Sequence, residues 1–256
     1  ARAHQERRIE KGAVIIERPD ITINLEGAGE NITVSLDEDP LAPKAHLLVS
    51  ELMVLTNAAL AAWAKEHGVT LLHRTQDVAI PKEFSGIWQT PLEIARVVKA
   101  LAPAVLETNP RPHAGLGEAM YAPSTSPLRR YPDMINETQI ISLLRDGKPR
   151  WSKEELDTLL PLLNAHLDAA GQVQRFRPRY WKLLYFKQQG DRWWPAVITD
   201  ENDAFVTVNM PKEQMIVRAR RQFFGESTHP GQELEIRLGK VHPLQNDFQL
   251  LETREI

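Results

Sequence analysis

Residues 13–36 hold three short runs that alternate apolar and polar side chains: AVIIE, ITINLE and NITVSLD. Side chains on an extended strand point to opposite faces in turn, so a period of two predicts strands. Arg18-Pro19-Asp20 and Gly27-Ala28-Gly29 separate the runs, and the simplest arrangement is an antiparallel β meander. The period then lengthens. APKAHLLVSELMVLTNAALAAWAKEHG carries its apolar residues at helical spacing and stops at Gly68, a residue type favoured just past a helix. VTLLHRT (69–75) predicts another strand. Thr90 is placed to cap a short helix, PLEIARVVKALA, with Pro91 in its first turn.

Residues 103–127 are rich in Pro and Gly and predict an ordered loop, followed by a helix over 128–144. Ser152 and Glu155 have the spacing of a capping box. They open a helix expected to run to Lys187, with a bend near Pro178. From Arg192 the pattern turns to strands: RWWPAVIT, AFVTVN, QMIVRAR, QELEIRLG and DFQLLET. Five short strands in the last stretch of chain predict a small closed barrel of the OB type. The fold class is therefore α+β, divided at Gln188-Gln189-Gly190-Asp191 into residues 1–187 and 188–256.

Composition narrows the possibilities. A chain of 256 residues that is 42% hydrophobic can bury a large core. Its formal charge of −3 does not mark a global polyanion binder, so any nucleic-acid site must be a local basic cluster. There is no cysteine, which excludes disulfides and thiolate metal sites and agrees with a cytoplasmic location. No apolar run approaches the ~20 residues that span a bilayer, so no membrane partner is expected. The first methionine is Met53, and the chain opens inside a charged segment. The expectation is a fragment of a longer protein.

The segment Tyr121–Asp133, YAPSTSPLRRYPD, carries the most chemical information. Ser126 or Thr125 is placed to cap the following helix, with Pro127 in its first turn, so Arg129 and Arg130 fall in that turn. Cations there oppose the helix dipole. Two adjacent ones make sense if an anion sits at the helix start, gripped by free N–H groups and guanidinium forks. Alternatively, Asp133 neutralises Arg129 at i,i+4 spacing and Arg130 is solvated. Both remain open at the level of sequence.

A second cluster lies in Gln172–Trp194, where seven aromatic residues stand beside six Arg or Lys and one acid. Cations interleaved with aromatic faces suit a single nucleic-acid strand. Trp181, Leu184 and Tyr185 share a helical face and serve equally well as core. Arg175, Arg177, Arg179 and Lys182 are candidate RNA contacts. No HExxH, Walker loop, GxSxG or GxGxxG occurs, and the eight histidines lack metal spacing. Asp37-Glu38-Asp39, before Pro40, is expected to be a solvated turn at a strand–helix junction.

Taken in order, several stretches resemble the ribonuclease II family of processive exoribonucleases. ERRIEKGAVIIERPDITI is similar to an arginine-rich R-G-A entry into a meander. HLLVSELMVLTNAALA is similar to an I-E-E-x-M-x-x-A-N helix. PHAGLGEAMYAPSTSPLRRYPDMIN is similar to the signature H-F-G-L-x-x-Y-x-x-F-T-S-P-I-R-R-Y-x-D. The resemblance covers essentially the whole chain. It implies the second half of an RNB catalytic domain followed by an OB-fold RNA-binding domain.

The resemblance further implies 3′-to-5′ hydrolysis of single-stranded RNA to nucleoside monophosphates, using Mg²⁺ held by aspartates. Arg129 matches an arginine that touches the scissile phosphate. Arg130, Tyr121 and Glu51 match neighbouring RNA-contacting or structural positions. The aspartates, spaced as D-x₅-D-x-D-D, would lie upstream, so Mg²⁺ ligands are expected outside this chain and no metal ligand is assigned within it. An N-terminal segment of the same protein is then a partner, and the intact molecule is expected to be a monomer. Departures include Glu137-Thr138 in place of His-Arg, Ser50-Glu51 in place of paired acids, and Gln174-Arg175-Phe176 where a glutamate is usual. The alternative is a non-catalytic RNA-binding or regulatory homologue that kept the fold.

Overall fold

The computed structural model describes residues 1–39, 43–225 and 227–256. Contacts divide them into two compact units, one of residues 1–16, 42–88 and 97–168, the other of residues 17–41, 89–96 and 169–256. Of the turn expected at Asp37-Glu38-Asp39, Asp37 and Glu38 instead lie in the strand Thr33–Glu38, paired with Thr22 and Ile21, while the junction at Pro40 lies outside the described residues.

In the first unit, α1 (Arg2–Glu10) forms from the opening charged segment, which has no apolar stripe to announce it. β1 (Val14–Ile16) pairs in parallel with β5 (Gly86–Trp88). In the second unit, β2 (Ile21–Glu26) and β3 (Thr33–Glu38) form an antiparallel hairpin. The expected three-stranded meander is therefore one hairpin plus a separate strand. Alternation specifies which face a side chain occupies but not which strand is its neighbour, and the chain passes between units after Ile16. The turn after β2 requires Gly27: its φ is +91°, and a Cβ there would stand 2.4 Å from the Asn31 carbonyl oxygen. Gln188 ties down the start of β3 by accepting from Val34 N–H at 2.9 Å and donating to Ile32 O at 2.6 Å.

α2 (Pro43–Glu66) ends just before Gly68, as the pattern predicts. By length and composition α2 is apolar enough to cross a membrane, which corrects the expectation that no segment approaches that limit. Its inward face nonetheless carries buried Glu51 and Asn57, both engaged in polar contacts. Those contacts suit a protein core better than lipid.

Only His73–Thr75 of the predicted 69–75 strand is a strand, β4, paired with β6 (Val105–Glu107). The preceding residues are satisfied by a helix instead. Asn136 of α4 (Tyr131–Asp146) accepts from Leu72 N–H at 2.7 Å and donates to Leu72 O at 2.9 Å. Gln139 donates to Thr70 O at 3.0 Å. Two side-chain amides thus take the place of a neighbouring strand, and Leu71 and Leu72 stay buried. Leu72, Ile135, Leu156 and Leu163 form one core of this unit.

Two of the three expected helix caps form. In α3 (Pro91–Ala100), Glu93 N–H donates to Thr90 Oγ1, and Glu93 returns a carboxylate to Thr90 N–H. In α5 (Lys153–Gln189), Ser152 and Glu155 close the reciprocal pair at 2.8 and 3.2 Å. α5 passes Pro178 as unbroken helix, contributing 153–168 to the first unit and 169–189 to the second.

The last five strands are β7 (Trp193–Glu201), β8 (Phe205–Met210), β9 (Met215–Arg220), β10 (Glu233–His242) and β11 (Asp247–Glu255). Their order is β11-β10-β7-β8-β9, all neighbours antiparallel. The sheet curls into a half-barrel with β9 and β11 at its edges. Alternate residues Trp194, Ala196 and Ile198 of β7 and Val206, Val208 and Met210 of β8 point inward, where Leu183 and Phe186 of α5 join them. The buried face of α5 here is Leu183 and Phe186, while Trp181, Leu184 and Tyr185 lie at its margin.

Candidate nucleic-acid interface

The signature loop is built on α2 and α4 of the first unit. α4 begins at Tyr131, with Arg130 at its N-cap, so Arg129 and Arg130 precede the first turn instead of lying within it. Pro132 explains the later start. Had the helix begun at residue 128, the Pro132 ring would meet the carbonyl of residue 128 and a helical hydrogen bond would be lost. At the second helical position neither cost arises. Ser126 accordingly does not cap the helix. Its carbonyl closes a tight turn by accepting from Arg129 N–H at 3.2 Å and Arg130 N–H at 3.0 Å.

Asp133, 1% exposed, anchors that turn from the helix side. Its Oδ1 accepts from Arg130 Nη2 at 2.7 Å, from Arg130 Nε at 3.1 Å and from Ser126 N–H at 3.0 Å. Asp133 therefore pairs with Arg130, not with Arg129 as the i,i+4 spacing suggested. Arg130 also reaches Thr125 Oγ1 at 3.3 Å. Arg129 is left exposed, beside fully exposed Leu128, with one long contact of 3.4 Å to Ser126 Oγ. The two adjacent arginines thus differ in role: one is locked into the loop, the other presented outward.

Tyr121 is buried, and its hydroxyl accepts from Asn57 Nδ2 at 2.9 Å. Its ring meets His113 edge to face, with centroids 5.9 Å apart. Burial holds His113 and His73 neutral, lowering each from the usual 6.5 to about 4. Glu51 lies further back. Burial alone would raise its pKa, but hydrogen bonds from Arg8 and His4 outweigh that and hold it below the usual range. Arg8 Nε donates to Oε2 at 3.0 Å, His4 Nδ1 lies 2.7 Å from the same oxygen, and Arg8 Nη2 takes Oε1. With 2% exposure, Glu51 is turned toward α1 rather than toward solvent. Sequence pattern pointed to this glutamate but not to Arg8, because α1 carries no apolar stripe.

In the second unit the four candidate cations of α5, Arg175, Arg177, Arg179 and Lys182, fall into two pairs. Arg175 and Arg177 are exposed. Arg179 and Lys182 turn onto the start of β9: Arg179 Nη1 donates to Ile216 O at 3.4 Å, and Lys182 Nζ donates to Gln214 O at 3.0 Å. Burial, reinforced by Arg18, lowers Lys182 to about 8. Aromatic faces nearby are also occupied, with Arg192 4.2 Å from the Trp194 ring and Arg254 4.3 Å from the Trp193 ring. These are favourable cation–π distances.

Comparison with known proteins matches residues 1–146 to the RNB domain. An uncharacterized ribonuclease of Synechocystis is 24% identical over 248 residues, covering 94% of this chain and 36% of its own length. The Dss1 exoribonuclease active-site mutant of Candida glabrata superposes with a TM-score of 0.80 at 22% identity, over 96% of this chain and 33% of that one. Mycoplasma genitalium RNase R in complex with ribose-methylated single-stranded RNA superposes at 0.73 and 16% identity, over 97% of this chain and 47% of that one. At such identities the superpositions establish the fold. The chain spans between a third and a half of the length of these proteins.

Proposed function

Because this chain belongs to the RNB domain family, we propose that it forms part of a hydrolytic 3′-to-5′ exoribonuclease that acts on single-stranded RNA and releases nucleoside 5′-monophosphates. The observation that carries this proposal is the division of labour in the signature loop. Asp133 and Thr125 hold Arg130, which leaves the Arg129 guanidinium exposed and without a carboxylate partner among the described contacts. A planar cation on a braced turn is suited to a bidentate grip on a phosphate. Its contribution grows as negative charge builds on the phosphoryl oxygens during hydrolysis. Arg130 and Tyr121 support that turn from within. The single-stranded RNA named for the Mycoplasma protein is the expected partner, with exposed Arg175 and Arg177 as further phosphate contacts.

The family implies Mg²⁺, and the residues present do not fit a site for it. No group of three His, Asp or Glu side chains among the described residues is placed to hold a metal. Of the buried acids, Glu51 and Asp133 are already committed to Arg8 and Arg130, and Glu213 belongs to no metal-holding group among the described residues. Its ligands are assigned to aspartates outside this chain, in a segment of the same protein, and no step is derived through it.

Incubating this chain and the intact enzyme with a 5′-labelled single-stranded oligonucleotide tests the proposal. The intact enzyme is expected to shorten the strand from its 3′ end with release of monophosphates, and this chain alone to bind without shortening. Binding without cleavage by the intact protein would favour a non-catalytic homologue.

A further inference from the structure

Behind the signature loop lies Asn57 of α2, the final N of the helix motif quoted above, to which neither that motif nor the basic clusters give a role. It is fully buried, and every polar atom of its side chain is used. Nδ2 donates to Tyr121 OH at 2.9 Å and to Thr125 Oγ1 at 3.3 Å. Oδ1 accepts from Ser124 N–H at 2.9 Å, and the Asn57 carbonyl accepts from Ala122 N–H at 3.4 Å. One residue thus contacts four positions between 121 and 125, the stretch that feeds the Ser126 turn. From Thr125 Oγ1 the network continues through Arg130 and Asp133 to Ser126 N–H, and from Ser126 to the Arg129 backbone.

Each side-chain link in that path is a hydrogen bond between groups of fixed geometry on α2, the loop and α4. Arg129 itself has no comparable brace, so its aim depends on the turn beneath it. We propose that Asn57 is a positioning residue: its buried amide fixes the 121–125 segment and thereby sets where the Ser126 turn presents the Arg129 guanidinium. The inference rests on the assignment of Arg129 to an RNA phosphate made above. Asn57 touches no substrate in this scheme. It acts through Thr125 and Tyr121, and small displacements of a positioned group can cost large factors in rate.

The test is a double-variant cycle in the intact enzyme, read by single-turnover cleavage of a short RNA, by RNA affinity and by thermal melting. Asn57→Ala is expected to slow cleavage on the order of 10-fold or more, with RNA affinity changed by less than about 3-fold. Thr125→Val removes only the hydroxyl link and serves if Asn57→Ala does not fold. Its cleavage should slow by roughly 3-fold or more at a melting temperature close to that of the parent. The deciding readout is coupling. In an Arg129→Ala background, either change should slow cleavage by less than about 2-fold, because no guanidinium is left to aim. Losses that multiply in full would show that Asn57 is merely structural and overturn the positioning role alone. Normal cleavage by Arg129→Ala itself would overturn both this role and the phosphate assignment beneath it.

Discussion

Arg130 donates to Asp133 at 2.7 Å, and this one ion pair assigns the buried acid to the second of two adjacent arginines. The pair sits at the start of α4 with Asp133 buried and Arg130 partly exposed. Its geometry leaves the first arginine, Arg129, available for a ligand.

A stability contrast follows for the two arginines. Asp133→Asn loses the charge that organises Arg130 and weakens the acceptor for Ser126 N–H, so it is expected to destabilise the fold by about 1–3 kcal/mol. Arg129→Ala removes an exposed side chain and is expected to cost less than ~0.5 kcal/mol. Urea denaturation of the two variants checks this. Equal losses would mean that Arg129 shares the structural role.

Acid should weaken the fold through His73 and His113. Both are held neutral with pKa values near 4, against 6.5 when unfolded. Below pH 6.5 the unfolded chain takes up protons that the folded chain refuses. The stability that depends on neutral histidine is present above 6.5 and is lost as pH falls toward 4, by up to about 3 kcal/mol per residue. Melting temperature measured from pH 7 to pH 4.5 should fall, and fall less in His73→Gln and His113→Gln. A flat profile would contradict the neutral, buried assignment.

Much of the architecture is legible from patterning. The five C-terminal strands and the capping pairs Thr90/Glu93 and Ser152/Glu155 follow from local chemistry, because alternation and capping are encoded within a few residues. What the pattern hides depends on partners distant in sequence. β1 pairs with β5, about 70 residues on, and no feature of its three residues names that neighbour. The inward face of α4 mixes apolar Ile135 with polar Asp133, Asn136 and Gln139 buried against backbone groups, so hydrophobic periodicity marks neither its start nor its role. Within the candidate site, motif spacing points to Arg129, Arg130 and Tyr121, and the helix motif includes Asn57 as its final N without giving it a role. The contacts of Asn57 and the part played by Arg8 emerge only once α1, α2 and the loop are brought together.

Asn136 offers a direct check on that polar face. It serves both backbone groups of Leu72 and also Pro123 O. Asn136→Leu would leave buried N–H and C=O groups unpaired, with an expected loss of about 2–4 kcal/mol. Amide exchange at Leu72 should quicken together with the drop in stability. A fold as stable as the parent would mean that water replaces the amide readily.

The cations of α5 should separate by exposure. Arg175→Ala and Arg177→Ala are expected to weaken binding of single-stranded RNA with little loss of stability, each reducing the salt slope by about 0.7 per charge removed. Arg179→Ala and Lys182→Ala remove ties to Ile216 O and Gln214 O, so their main effect should be a lower melting temperature. Titrations at several salt concentrations distinguish the pairs. An unchanged slope in the Arg175 and Arg177 variants would remove them from the RNA path.

Arg129 tests the central claim most directly, by single-turnover cleavage of single-stranded RNA by the intact enzyme carrying Arg129→Ala and, separately, Arg129→Lys. If the exposed guanidinium grips the scissile phosphate as charge builds on it, Arg129→Ala should lose on the order of 10²-fold or more in rate with a smaller change in RNA affinity. Arg129→Lys, which keeps the charge but not the fork, should remain clearly impaired. Turnover at the parental rate in Arg129→Ala would contradict the account.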